Sequence, residues 1–226
     1  MKSLENKVIL LTGATGGIGE ATALELAKER AILILGYHRK HHTATRIAKE
    51  CLRLGSPNVH LLKLDLQNPA SINITLKQVI KWYGSISILI NNAGINFYGS
   101  LLKRTDNEIQ KILQINLWGP ILLTQRYLPY VEEMVINIGS RFSKFGSANL
   151  ATYCASKFGI RGFTKSLAAE YPHLDIYLVN PDATATSMTS FVGRPAKDVA
   201  HVIVSIVTRR IRVPYRSDID IWEIVK

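Results

Sequence analysis

The chain has 226 residues, of which 47% are hydrophobic and 20% are charged, and its formal net charge is +11. This composition fits an ordinary soluble globular protein, and no apolar run approaches the roughly 18 residues that a transmembrane helix requires, so no membrane association is expected. Only two cysteines occur, Cys51 and Cys154, so we expect no disulfide framework and a location in the reducing cytoplasm.

Short apolar runs alternate with longer amphipathic stretches, which is typical of a parallel sheet with helices on both faces. The predicted strands are Lys7–Thr12, Ala31–Leu35, Val59–Leu64, Ile86–Ile90, Val135–Ile138, Asp175–Val179 and Ile219–Ile224. The predicted helices are Gly17–Glu29, Ala44–Leu54, Ser71–Tyr83, Asp106–Leu128, Tyr153–Glu170 and Lys197–Thr208. No linker or repeat interrupts this pattern. We therefore predict an α/β fold: a single Rossmann-type doubly wound domain over residues 1–226, with a seven-stranded, mainly parallel sheet.

The first predicted strand runs directly into a glycine-rich turn that opens the first helix, with Gly13, Gly16, Gly17 and Gly19. Glycine has no Cβ, so such a turn is tight and its N–H groups approach a pyrophosphate closely. The spacing is GxxxGxG rather than GxGxxG, but the strand–turn–helix context is that of a dinucleotide site. The turn therefore predicts nucleotide binding, with an ordinary glycine-rich surface turn as the alternative.

Basic residues, and no acidic one, follow the second predicted strand. Folds that bind NAD place a carboxylate there for the ribose 2′-hydroxyl, whereas this chain has His38, Arg39 and Lys40. Arg39, assisted by His38 or Lys40, would pair with a 2′-phosphate through a bidentate contact. NADP is therefore favoured as cofactor. NAD stays open because the glycine turn itself holds no basic residue.

Two clusters carry part of the positive charge: the stretch around Arg39, and a group near the C-terminus made of Arg209, Arg210, Arg212 and Arg216. Neither is accompanied by zinc-finger spacing or an RNA-binding aromatic signature. An anionic small ligand explains this charge as well as a nucleic acid does. We expect no nucleic-acid partner.

Tyr153 and Lys157 are spaced i, i+4 in a predicted helix, so they lie on one face. A phenol with a pKa of about 10 is a poor base at neutral pH, but an adjacent ammonium would favour the phenolate and lower that pKa. The pair is therefore suited to general acid–base chemistry. Taken alone, the same spacing is also typical of a solvated helix face.

With the motifs between them, these two stretches resemble the short-chain dehydrogenase/reductase family nearly from end to end. The turn Thr12–Gly19 looks like the family's TGxxxGIG, and Asn91–Gly94 is similar to its NNAG. Asn116 and Ser140 match the asparagine and serine of the family's catalytic tetrad, which Tyr153 and Lys157 complete.

The resemblance implies a role for each matched residue. Tyr153 would exchange a proton with the substrate oxygen, Lys157 would lower the tyrosine pKa and hold the nicotinamide ribose, and Ser140 would donate a hydrogen bond to that oxygen. Asn116 would anchor a water in a proton relay, and Asp65 would contact adenine. No metal ligand is expected. The residues expected to bind the dinucleotide are Gly13, Thr15, Gly16, Gly17, Ile18, Gly19, His38, Arg39, Asp65, Leu66, Asn92, Ala93, Gly94, Tyr153, Lys157, Pro181 and Thr186.

Two features depart from the family pattern. Asp182 stands where the family has the glycine of a Pro-Gly pair, between Pro181 and Thr186; we interpret it as a tolerated variation that would disfavour an anionic substrate. The substrate loop, at about residues 184–195, is short, whereas family members commonly carry a longer mobile segment there.

The short loop predicts a substrate site that is open, or that is completed by a neighbouring subunit or by aromatic side chains. The candidate aromatics are Phe97, Tyr98, Phe142 and Phe145. Arg141 and Lys144 point instead to an anionic substrate, with solvated loop charges as the alternative.

The sequence thus predicts an NAD(P)-dependent oxidoreductase that interconverts a secondary alcohol and a carbonyl compound, with Tyr153 as general acid/base. Two alternatives stay open: a dinucleotide-binding regulator without catalysis, and another carbonyl chemistry, such as epimerisation or dehydration, on the same fold.

The resemblance also implies a homodimer or homotetramer, joined through the predicted helices Asp106–Leu128 and Tyr153–Glu170. Ile160, Phe163 and Leu167 would line that interface, or would pack inside the monomer.

Overall fold

The structure, a computed structural model, describes residues 3–211, 213 and 218–225. The strands are β1 (Val8–Leu11), β2 (Ile32–Tyr37), β3 (Val59–Lys63), β4 (Ile86–Asn91), β5 (Val131–Ile138), β6 (Asp175–Asn180), β7 (Thr184–Ala185), β8 (Arg194–Pro195) and β9 (Asp218–Asp220). The α-helices are α1 (Gly17–Lys28), α2 (His41–Arg53), α3 (Pro69–Tyr83), α4 (Asp106–Leu113), α5 (Gly119–Tyr127), α6 (Ala151–Glu170), α7 (Ala196–Val207) and α8 (Ile221–Ile224). Short 3₁₀ turns lie at Leu101–Lys103, Leu128–Tyr130, Arg141–Ser143 and Ser187–Thr189, and a π-helical turn lies at Gln114–Trp118. Of the predicted C-terminal basic cluster, Arg212 and Arg216 lie outside the described residues.

The main sheet has seven strands in the order β3-β2-β1-β4-β5-β6-β9, and each neighbouring pair is parallel. This confirms the predicted doubly wound fold. The strand order reverses between β1 and β4. At such a switch point the carboxyl ends of the strands open a crevice that binds ligands in folds of this kind.

Two hydrophobic cores cover the two faces of the sheet, because successive residues of a strand point to opposite sides. In β1, Ile9 and Leu11 belong to the core beneath α1, α2 and α7. Val8 and Leu10 belong to the core beneath α3, α5 and α6. The central strands are therefore buried on both faces and read as continuous apolar runs, as parallel strands do.

Capping signals mark two helix starts. Asn68 accepts hydrogen bonds from the backbone N–H groups of Ala70 and Ser71, and Pro69 occupies the first turn of α3, where its missing N–H costs nothing. Thr105 and Glu108 form a reciprocal capping box at α4.

The structure corrects two predicted elements. The strand predicted at Ile219–Ile224 pairs with β6 only over β9, because β6 ends at Asn180; the chain then closes a helical turn, with the N–H of Val225 donating to the carbonyl of Ile221. The helix predicted at Asp106–Leu128 is not continuous, since the π-helical turn separates α4 from α5.

Both cysteines are free and buried, as the sequence predicts for a chain without a disulfide framework. Within the residues that the structure describes, no helix combines the length and the apolar character that a bilayer crossing requires.

Candidate active site

The glycine turn and the Asn91–Gly94 segment are bonded to each other at the carboxyl ends of β1 and β4. The hydroxyl of Thr12 accepts hydrogen bonds from the N–H groups of Asn92 and Ala93, both at 3.0 Å. The Asn92 side-chain amide donates to the carbonyls of Thr12 at 2.9 Å and Gly13 at 3.1 Å. These bonds fix the floor of the crevice at the switch point.

The glycines of the turn allow this close approach. A Cβ at Gly13, whose φ is +65°, would lie 2.7 Å from the Cα of Ala93, and a Cβ at Gly19 would lie 2.2 Å from the carbonyl oxygen of Gly13. Gly16 and Gly17 are exposed, and no described side chain caps the N-terminus of α1. Free N–H groups at an open helix N-terminus fit a pyrophosphate, so the residues present match a dinucleotide.

The residues predicted to hold the adenosine end gather where β2 and β3 end. Nε2 of His38 lies 3.5 Å from a carboxylate oxygen of Asp65, while the Leu66 side chain is buried in the core. Arg39 is exposed beside them. A shallow depression of about 580 Å³ opens here, lined by Tyr37, His38, Arg39, His41 and Lys63. Its charge is basic, as a 2′-phosphate site requires.

Tyr153 and Lys157 are both buried in the first half of α6. The Lys157 ammonium lies 5.7 Å from the centre of the Tyr153 ring and donates to the carbonyl oxygen of Ile138 at 2.8 Å. Phe142 packs edge-on against the same ring, with the ring centres 6.3 Å apart. Ser140, at the end of β5, is hydrogen-bonded to Tyr153. Three predicted tetrad members therefore meet in one place.

The pKa directions differ from the expected lowering at Tyr153. Burial raises the pKa of Tyr153 to about 12, opposed by the hydrogen bond with Ser140. Burial also lowers the pKa of Lys157 to about 8. Desolvation disfavours the charged form of each group, and it outweighs the attraction between them. In the polypeptide itself the tyrosine is therefore held as the protonated phenol.

Asn116 lies in the π-helical turn and joins the β4–α4 segment to α6. Its side chain accepts from the N–H of Ile95 and donates to the carbonyl of Ile95, both at 2.8 Å, and donates to the hydroxyl of Ser156 at 3.2 Å. A Cβ at Gly94 would lie 3.4 Å from Asn116 Oδ1 and 3.8 Å from Lys157 Nζ. The fourth predicted residue thus borders the other three, although its side chain is occupied by protein partners.

The short substrate loop is closed at its base by an ion pair. Arg194 makes a bidentate contact with Asp182, with Nε to Oδ1 and Nη2 to Oδ2 distances of 3.0 Å each. The Asp182 backbone has no positive φ, so no glycine is needed there. Beyond Asp182, the Thr186 side chain leans on the glycine turn: a Cβ at Gly17 would lie 2.5 Å from Thr186 Cγ2.

The other predicted substrate residues divide into packed and exposed ones. Phe97 lies under the Arg104 guanidinium. Tyr98 and Phe145 are exposed by 73% and 55% and remain available to a substrate. Lys144 is paired with the buried Asp220 at 2.5 Å. It is therefore neither a solvated loop charge nor free to bind an anionic substrate.

Of the three residues considered for a subunit interface, Ile160 and Leu167 are buried inside the monomer, and Phe163 packs partly against the same core. Helix packing accounts for them. The large exposed side chains on these helical segments are Trp118 and Phe158, at 40% and 44%, which periodicity did not single out.

The geometry and the sequence agree with one family. A sequence model described as short chain dehydrogenase matches residues 7–196. The chain belongs to the short-chain dehydrogenase/reductase family. Members of this family supply the structural relatives as well: a short chain dehydrogenase from Burkholderia cenocepacia J2315 in complex with NADP superposes with a TM-score of 0.89 at 25% identity, covering 97% of each chain. The 3-ketoacyl-(acyl-carrier-protein) reductase from Brucella melitensis complexed with NADH gives 0.87 at 26% identity, covering 96% of this chain and 97% of that one.

Curated short-chain dehydrogenase/reductase relatives differ in name and in length. Human 17-beta-hydroxysteroid dehydrogenase 13 is 35% identical over 173 residues, which are 75% of this chain and 57% of that protein. The 3-oxoacyl-(acyl-carrier-protein) reductase FabG of Thermotoga maritima is 32% identical over 203 residues, 87% of this chain and 82% of that protein. The chain thus spans less than two thirds of the length of the human steroid dehydrogenase.

Sequence reasoning missed two residues that shape the site. Thr12 accepts two backbone hydrogen bonds beneath the crevice, and its place at the head of the glycine motif was the available signal. Asn180, whose Oδ1 lies 3.3 Å from the N–H nitrogen of Ser140, had no signal, because its partner is 40 residues away.

Proposed function

We propose that the protein is a dinucleotide-dependent oxidoreductase that interconverts a secondary alcohol and a carbonyl compound. One observation carries the proposal: the Tyr153 phenol is buried against Lys157 and hydrogen-bonded to Ser140, at the same sheet edge as the open glycine turn. A proton donor and a dinucleotide cradle at one edge are what reduction of a carbonyl needs.

Each residue has a defined task. The bound dinucleotide supplies the hydride. Tyr153, with a pKa of about 12, holds the proton that passes to the substrate oxygen during reduction. Ser140 donates a hydrogen bond to that oxygen as negative charge develops on it. Lys157 brings positive charge to the phenolate that remains, and this charge favours release of the proton.

Asn116 acts by position. Its side chain is bonded to Ile95 and Ser156, so it holds the segment after β4 against α6. The water relay implied by the family resemblance would therefore use the backbone of the π-helical turn. Such turns inside helices are frequent at functional sites.

We propose NADP(H) as the preferred cofactor, with NAD(H) as the second choice. The depression beside Arg39 supports this preference, because it is lined by basic groups and Asp65 is already engaged with His38. The similar structures carry NADP in one case and NADH in the other.

The substrate is proposed to be a hydroxy or keto compound with an apolar body. The relatives are named for hydroxysteroids and for 3-oxoacyl chains. Exposed apolar side chains occur on the segments that flank the tetrad: Tyr98, Phe145, Met188, Phe191 and Val192. Such a concentration of apolar surface is typical of a binding site for an apolar ligand.

The test is a screen for oxidation of NADPH and NADH with ketones of increasing apolar size, using the wild type and Tyr153→Phe. We expect turnover by the wild type and a loss of about 10³-fold or more in kcat for the variant, because the proton donor is gone. Dinucleotide binding should persist in Tyr153→Phe. Binding with no turnover of any substrate by the wild type would contradict the proposal and support a regulator.

In the cofactor arm of this experiment, Arg39→Asp should weaken NADPH binding about tenfold or more and leave NADH binding within about threefold. Arg53→Asp, an exposed arginine on the same helical layer, serves as the charge-matched control. A wild type that binds NADH more tightly than NADPH would overturn the preference.

A further inference from the structure

A buried carboxylate stands behind the catalytic serine. Asp220 ends β9, outside the region that matches the family model, and its side chain is 5% exposed. One of its oxygens accepts from the Lys144 ammonium at 2.5 Å, and the other accepts from the Asn180 side-chain amide at 2.9 Å. Both oxygens of the carboxylate are thus used, and neither faces the substrate.

Asn180 passes this contact on to Ser140. Its Oδ1 accepts from the N–H of Ser140 at 3.3 Å, a bond that Ser140 shares with the hydroxyl of Ser143 at 3.0 Å. The fit is close: a Cβ at Gly139 would lie 2.2 Å from the same Asn180 oxygen. The backbone that carries the Ser140 hydroxyl is therefore seated on the Asn180 amide.

The charge of Asp220 decides which way that amide points. A carboxylate only accepts hydrogen bonds, whereas an asparagine amide presents an oxygen on one side and a donor NH₂ on the other. With Asp220 taking the NH₂, the oxygen must face the N–H of Ser140. Without that acceptor, the amide can turn its NH₂ toward the Ser140 N–H, and two donors would then meet in a buried place.

We propose that Asp220 is a positioning residue for the reaction: it orients Asn180, which holds Ser140 where the serine hydroxyl reaches the substrate oxygen. Lys144 compensates the buried charge of Asp220. This inference rests on the proposed function, and it assigns a catalytic task to the C-terminal strand.

The test compares Asp220→Asn with Asp218→Asn. Asp218 lies in the same strand, is 9% exposed and pairs with Arg161 and Lys165, so its replacement also removes a buried ion pair but leaves Ser140 untouched. We expect Asp220→Asn to lower kcat about tenfold with the KM for the dinucleotide unchanged within about twofold, since a small displacement of a catalytic group is costly. Asp218→Asn should keep kcat. Equal kcat values for the two variants would overturn the proposal.

A double-mutant cycle locates the effect. In a Ser140→Ala background, Asp220→Asn should lower kcat no further, because its action passes through the serine. A full tenfold loss in that background would refute the assignment.

A readout without turnover separates this inference from the proposed function. Asp220→Asn should speed amide hydrogen exchange in the segment 139–144, and Asp218→Asn should not. If the wild type reduces no carbonyl compound, the proposed function fails while the exchange measurement still reports on Asp220. If both variants exchange like the wild type in this segment, the positioning role is wrong.

Discussion

At the scale of single residues, burial sets the protonation of the catalytic pair. Tyr153 and Lys157 lie under the β5 end and Phe142, where water cannot stabilise either charged form. Burial raises the pKa of Tyr153 to about 12 and lowers that of Lys157 to about 8. Both shifts favour neutral groups, so any further tuning toward the phenolate must come from a positive charge that enters the site.

The Lys157 shift predicts a pH dependence of stability. Its pKa of about 8 lies below the ordinary 10.5, so between these values the unfolded chain binds a proton that the folded chain does not. The free energy of unfolding should therefore rise with pH in this range, by about 2 kcal/mol between pH 7 and 10 relative to Lys157→Met. Urea unfolding of both proteins at each pH measures the difference. Lys165→Met, which removes an exposed lysine of the same helix, should show the wild-type pH dependence.

At the scale of elements, the loop between β6 and α7 is short and tied at both ends. Asp182 and Arg194 join its base, and the N–H of Arg194 also donates to the carbonyl of Ala183 at 2.7 Å. Its tip bears Phe191, which has a φ of +62° and is 74% exposed. A bulky residue in this conformation is strained, so the closed base must hold the tip in place.

Arg194→Ala should release this loop. We expect faster hydrogen exchange across 183–194 and a loss of stability of about 1 kcal/mol, because a bidentate, partly exposed pair is broken. Arg209→Ala removes the surface partner of Asp175 and should leave exchange in the loop unchanged. Loop exchange in Arg194→Ala equal to that of the wild type would show that backbone contacts alone hold the segment.

At the scale of the whole molecule, one apolar surface has no intramolecular cover. Trp118 and Phe158 are exposed on the π-helical turn and on α6. The two elements cross there, since a Cβ at Gly159 would lie 2.7 Å from Leu117 Cδ2. Exposed aromatic side chains of this kind are enriched where subunits meet.

We therefore predict a homo-oligomer held together through this crossing. Phe158→Glu should shift the protein to a monomer in light scattering at micromolar concentration, because a charge would be buried at the interface. Ile74→Glu, at a 65% exposed position on α3, is the control and should leave the assembly intact. A monomeric wild type would contradict the prediction.

The sequence by itself determined the elements and the order of the motifs. Apolar runs such as Val8–Leu11 form strands because both faces of a parallel sheet are buried. The turn Gly13–Gly19 follows from the absence of Cβ atoms, and the Tyr153–Lys157 pair follows from helix periodicity. These are local properties, so residues near in sequence were enough to predict them.

Only the tertiary structure decided what these groups experience. Asp220 reaches Asn180 because β6 and β9 are neighbours, and Lys144 pairs with Asp220 across 76 residues of sequence. The direction of the Tyr153 pKa shift depends on burial by segments far along the chain. Desolvation and long-range hydrogen bonds are set by the packing of the sheet, which no local pattern encodes.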